Sequence, residues 1–225
     1  MRKGKLFIIV VLLFILSGTL NVFQYDKSKK HENYETAVEI ALSYFNSQYR
    51  VGSIHGALVE AISSSKLYIG EQDESSNVIH RNFQHLSVMH RELTLLYGPI
   101  SSYANYTDVS SLRENSIYDM FVDFSLFFEC LGMQQEWIVS DTSGRYIDLE
   151  GLSNELYRGV RIVEDITGQL ELIRSRSYDN KMGSDQEALA DYLIKSAAYF
   201  KSQEIQENIK SIRKMNEELL SKISS

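Results

Sequence analysis

The chain has one proline, Pro99, and one cysteine, Cys130, in 225 residues. A single cysteine closes no internal disulfide, so a small disulfide-stapled scaffold is excluded and the redox compartment is left open. Scarce proline removes the usual interruption of helices, and long helices are expected. Positive charge is also short: 23 basic residues face 30 acidic ones, a formal net charge of −7. Arg2, Lys3 and Lys5 precede the first hydrophobic run, which leaves 20 basic and 30 acidic residues, net −10, for the rest. A body this acidic lacks the basic patches that replace phosphate counterions, so nucleic acid is not an expected partner. Missing too are a G-x-S-x-G elbow, a P-loop, a strand-linked G-x-G-x-x-G and an H-E-x-x-H pair.

Present instead is an ordinary globular balance, 44% hydrophobic and 24% charged, with fourteen tyrosines and ten phenylalanines. That argues against wholesale disorder, and about 200 residues suffice for one domain with a real core. The first long feature is "LFIIVVLLFIL", residues 6–16, preceded by "MRKGK". No charge appears before Asp26. A helix over residues 6–25 would span roughly 30 Å, the thickness of the hydrocarbon core. Phe23 and Tyr25 would then sit at the interface.

Three fates compete for this segment. Signal peptidase favours small residues in an A-x-A-like pattern, but Leu16 and Gly18 stand there before Thr19. "LSG" resembles the start of a lipobox, yet Thr19 occupies the position of the lipid-bearing cysteine. An uncleaved signal-anchor is the expectation, and a secreted protein after cleavage is the alternative. Lys27, Lys29 and Lys30 follow the segment, so the positive-inside rule decides little. The short head and the tripartite layout put the N-terminus inside and the domain outside. The layout resembles single-pass envelope proteins of Gram-positive bacteria. The expected organisation is a cytoplasmic head at 1–5, a transmembrane anchor at 6–25, a juxtamembrane linker at 26–34 and an extracytoplasmic helical domain at 35–225.

Within that domain, apolar residues recur at helical spacing. Val38, Ala41, Leu42 and Phe45 share one face; Ile54, Ala57, Leu58, Ala61 and Ile62 continue the pattern to about Ile69, with Gly52 and Gly56 as bends and Gly70 as a cap. Phe83, Leu86, Met89, Leu93 and Leu96 mark a helix expected to stop at Gly98 and Pro99. "SLRE" at 111–114 and "SDQE" at 184–187 read as capping boxes. Ile117, Met120, Phe121, Phe124, Phe127, Phe128 and Leu131 predict a central core helix ended by Gly132. Trp137, Ile138 and Val139 suggest a short strand with no visible partner. Leu149, Leu152, Leu156, Gly159, Val163, Ile166, Leu170 and Ile173 form a heptad seam. Ile205, Ile209, Ile212, Asn216, Leu219 and Ile223 form a second one, on a last helix running unbroken from about Ser184.

Candidate chemistry is sparse. His80, His85 and His90 are five apart, so they splay around a helix instead of converging on a metal. Cys130, among phenylalanines, reads as a small core hydrophobe. Asp119 and Asp123 share a helical face but read as solvated. No cofactor or metal is expected. Tyr97, Tyr103 and Tyr106, around Gly98 and Pro99, are candidate partner contacts because tyrosine offers a large apolar area and a hydroxyl. Asn216 is a fourth, since a buried seam asparagine fixes coiled-coil register. The fold class expected is all-α: one membrane helix, then a bundle of about five long helices. Its function is read as a membrane-anchored, non-enzymatic interaction or regulatory module, touching the bilayer through the N-terminal helix and a protein partner or second copy through the C-terminal heptad helix. The alternative is a small-ligand-sensing domain that works with a membrane partner.

Overall fold

A computed structural model describes residues 24–29, separate positions between 32 and 47, and residues 49–72, 77–103, 117–179 and 185–223, with side chains of the stretch 77–103 described only as far as Leu93. The chain divides into two compact units, Met1–Ile40 and Ala41–Ser225. In the first, residues 24–29 are helical and the Lys29 ammonium lies 5.9 Å from the Tyr25 ring. Apart from Gln24 and Tyr25, the expected membrane span lies outside the described residues. Among the described residues, no helix is long and apolar enough to cross a membrane.

The second unit is mostly helical, as the periodicity predicts, and carries a small sheet that it does not. The order is α1 (Val51–Ser64), β1 (Lys66–Gly70), α2 (Val78–Tyr103), α3 (Ile117–Met133), β2 (Ile138–Asp141), β3 (Gly144–Asp148), α4 (Asn154–Asp179), α5 (Asp185–Phe200) and α6 (Gln203–Ile223). The expected helical bundle is borne out, and to it is added a small three-stranded antiparallel sheet in the order β1-β3-β2.

The differences have local causes. The first helix stops earlier than expected, because Ser65 adopts a left-handed φ of 60° and its N–H closes onto the Ala61 carbonyl. "KLYIG" then leaves as a strand, with Leu67 and Ile69 buried. Gly52 and Gly56 lie inside α1 instead of dividing it. Helix α2 runs on through Gly98 and Pro99 to Tyr103; a proline forfeits one i→i−4 bond, which a long helix can absorb. The long final helix is two helices. The chain bends at Lys201 and Ser202, and Ser202 Oγ caps α6 by accepting from Ile205 N at 3.4 Å. Helix α4 starts after Leu149 and Leu152, with Ser153 Oγ accepting from Leu156 N at 3.3 Å.

Helix α3 is the centre, as its sequence indicates: Phe121, Phe124, Phe127 and Phe128 are fully buried. Phe83 of α2 stacks on Phe128 at 5.7 Å and meets Phe124 edge-on at 5.6 Å. The glycine in the first seam has a steric reason: a Cβ at Gly159 would fall 2.6 Å from Phe127 Cζ and 2.8 Å from Met215 Sδ. The gap lets α3, α4 and α6 meet closely. The second seam is also spent inside the chain from Ile205 through Ile209, Ile212 and Asn216 to Leu219, all buried, while its last member, Ile223, is 41% exposed.

Candidate functional site

Two groups of tyrosines stand out. The first is sealed. Phe45 and Tyr49, just before α1, enter the helical core beside Tyr192 of α5 and His90 of α2. The Tyr49 and Tyr192 hydroxyls share a short hydrogen bond, and Tyr192 Oη lies 3.1 Å from His90 Nε2. Tyr192 is 0% exposed and His90 1%. Burial drives the chemistry of these groups away from reactivity: it pushes His90 down to about 3 and both tyrosine hydroxyls well above their ordinary value. His90 is therefore neutral at any ordinary pH. The Arg174 guanidinium, paired with Glu171 at 2.8 Å, closes the cluster 5.8 Å from the Tyr49 ring.

The second group is open. Tyr68 of β1, Tyr146 of β3 and Val139 of β2 are register neighbours and form a row across one face of the sheet. The Tyr68 and Tyr146 rings meet edge-on at 5.5 Å, and Tyr68 is 39% exposed. The row depends on Gly144. Its φ is +141°, and a Cβ there would come within 2.6 Å of the Tyr68 ring and 2.8 Å of the Gly70 carbonyl. The hairpin turn is pinned by Asp141 Oδ1, which accepts from Ser143 N at 2.7 Å.

This face forms one wall of a cleft of about 580 Å³. Helix α1 supplies the opposite wall through Ile54, Ala57 and Ala61, and the first turn of α2 adds Val78, Ile79 and Asn82. Charge enters from Glu60, Lys66 and Asp141. The Lys66 ammonium lies 6.0 Å from the Tyr146 ring centre. Apolar walls with a few placed polar groups, at this size, suit a small ligand or a short polymer segment.

A third cluster resembles a catalytic set and is not wired as one. His80 Nδ1 lies 3.0 Å from both the Ser125 carbonyl and Ser125 Oγ, and 3.8 Å from Glu129 Oε2. A relay needs serine and carboxylate on opposite ring nitrogens; here all three contacts fall on one. Together with Asn77, which caps α2 and donates to the Phe128 carbonyl at 2.9 Å, the cluster ties α2 to α3.

The candidates from sequence are distributed as follows. Tyr97 and Tyr103 lie on α2, but their side chains are outside the described residues, as is Tyr106 altogether. Asn216 is 3% exposed and donates to the Asp123 carbonyl of α3 at 2.9 Å, so its amide is engaged within the chain. Asp123 is not solvated with Asp119 as expected. It pairs with Arg213 at 2.7 Å, and burial raises its carboxyl despite that pair. Cys130 is buried, with its thiol pushed up to about 11 by burial. Among the described residues no acidic, histidine or cysteine group is placed to hold a metal. Sequence reading missed Tyr68 and Tyr146; the alternation of Leu67 and Ile69 around Tyr68 was the available signal.

No family model matches the chain, and neither the curated proteins nor the solved structures contain a significant match.

Proposed function

We propose that the protein is a non-enzymatic binding module of a bacterial cell envelope, held in the membrane by residues 6–25 with its helical domain outside, and that the tyrosine-faced cleft is its contact surface. The observation that carries this reading is the open cleft with its exposed Tyr68 resting on the half-buried Tyr146. The strongly shifted groups, His90, Tyr49 and Tyr192, are sealed in the core where no substrate reaches them. The burial of the α6 seam from Ile205 to Leu219, and the bond from Asn216 to the Asp123 carbonyl, support the sheet over the C-terminal helix as the partner's contact.

The test has two arms. A C-terminal tag on intact cells is expected to be digested by added protease without lysis; protection until lysis would overturn the outward placement. A Y68A/Y146A double variant, present in the membrane at the normal level, is expected to fail to complement a deletion of the gene. Full complementation would remove the cleft from the function.

A further inference from the structure

The reading of the cleft as a contact surface can be deepened to a ligand class. Three observations bear on it. First, a cation already visits the cleft: the Lys66 ammonium stands 6.0 Å from the centre of the Tyr146 ring. An aromatic face attracts cations through its quadrupole, and paired rings beside carboxylates are a general way to hold an ammonium group. Second, the charges of the lining do not cancel. Glu60 and Asp141 outnumber Lys66, and among the described residues none of the three makes an ion pair. Third, Lys66 and Asp141 occupy opposite corners of the sheet face. They are two strands apart, and their register partners are Asp148 and Gly144 on β3. By strand geometry the backbone separation is roughly 17 Å. Lys66 therefore leans inward over Tyr146, which lies between the two corners, and still makes no ion pair with Asp141 at the far one. The net charge of −7 also favours approach of a cation from a distance.

We infer that the cleft binds an ammonium-bearing ligand that seats over Tyr146 against Glu60 and Asp141, and that Lys66 is a tethered competitor which vacates the ring face when the ligand arrives. The inference rests on the cleft being the contact surface. An ammonium can come from a free amine or from a lysine side chain of a peptide, and the geometry reads the shared group.

Calorimetry on the full-length protein in detergent tests this with three probes: n-butylammonium, its uncharged analogue n-butanol, and trilysine. Butylammonium is expected to bind and butanol not. The sign of the Lys66 effect is decisive. K66Q removes the competitor and is expected to tighten butylammonium about threefold, a modest cation–π increment, whereas Y146L, which keeps apolar volume, abolishes binding. Trilysine binding at least tenfold tighter than butylammonium assigns the ammonium to a peptide; comparable binding assigns it to a free amine. Equal binding of butanol, or weaker binding by a K66Q variant of unchanged circular dichroism, overturns the inference, since a neutral or anionic ligand would need the lysine. Failure here with loss of complementation by Y68A/Y146A leaves the contact surface standing and removes only the ammonium class.

Discussion

Tyr192 and Tyr68 are the same residue put to opposite uses. The Tyr192 ring lies wholly in the helical core, its hydroxyl bonded to Tyr49 and His90. Tyr68 rests on Tyr146 and presents more than a third of its surface to solvent. Neighbouring elements make the difference. His90 of α2 and Phe45 and Tyr49 before α1 pack around Tyr192, whereas Tyr68 rests on Tyr146 and lines the cleft. A sealed polar cluster adds stability and specificity while surrendering access; an open one adds little stability and keeps its chemistry available.

The sharpest contrast is in stability. Tyr192→Ala removes a fully buried ring and is expected to cost about 3–5 kcal/mol in urea denaturation. Tyr68→Ala loses one edge-on ring contact and is expected to cost about 1 kcal/mol. Comparable losses would mean that the cleft is part of the core.

A pH series separates the two regions next. His90 is held at about 3 in the folded chain and returns to about 6.5 on unfolding. The unfolded state therefore takes up a proton first, and stability falls as pH drops from 6.5 toward 3, by about 1.4 kcal/mol per unit. Between pH 6.5 and 5.5, where carboxylates contribute little, His90→Gln should flatten the decline seen in the parent protein. At the alkaline end, both buried tyrosines resist ionising, so stability falls again as pH rises above about 10.

Gly144→Ala probes the open region by itself. A methyl in the path of the Tyr68 ring and the Gly70 carbonyl, at positive φ, is expected to cost about 1–3 kcal/mol by thermal unfolding. Because it displaces Tyr68, it should weaken cleft binding too, while the Tyr192 cluster keeps its pH profile. The smallest effect is expected from Asn216→Leu. Asn216 Oδ1 finds no hydrogen-bond partner among the described residues, so removing it offsets the loss of the bond to Asp123. Stability should change by less than about 1 kcal/mol, and sedimentation should be unchanged if the seam serves only this chain.

The helices were largely legible because their signal is local. Phe121, Phe124 and Phe128 announce a buried face within about two turns of helix, and the α4 and α6 seams repeat it. The sheet was not legible, because its partners are remote. Trp137, Ile138 and Val139 suggest a strand with no visible partner, and the partner β3 lies just beyond the turn at Thr142 and Ser143. Strand β1 was absorbed into the preceding helical pattern, since only the φ of Ser65 marks the change of period. The open cleft is built from that sheet, so it was missed for the same reason. Tyr68 and Tyr146 become neighbours only once Lys66 is in register with Asp148.

That register has a consequence for assembly. Lys66 meets Asp148 82 positions later in the chain, and the paired helices α2 and α3 lie wholly within the loop so closed. The entropy of closing a loop grows only with the logarithm of its length, but it must be met before any β1 hydrogen bond repays it. Docking α2 on α3 through Phe83 and Phe128 shortens the effective gap. The β2–β3 hairpin, by contrast, closes across a two-residue turn. In pulse-labelled refolding, amide protection is expected in the hairpin before β1, so the cleft wall that carries Tyr68 is the last part of the sheet to form.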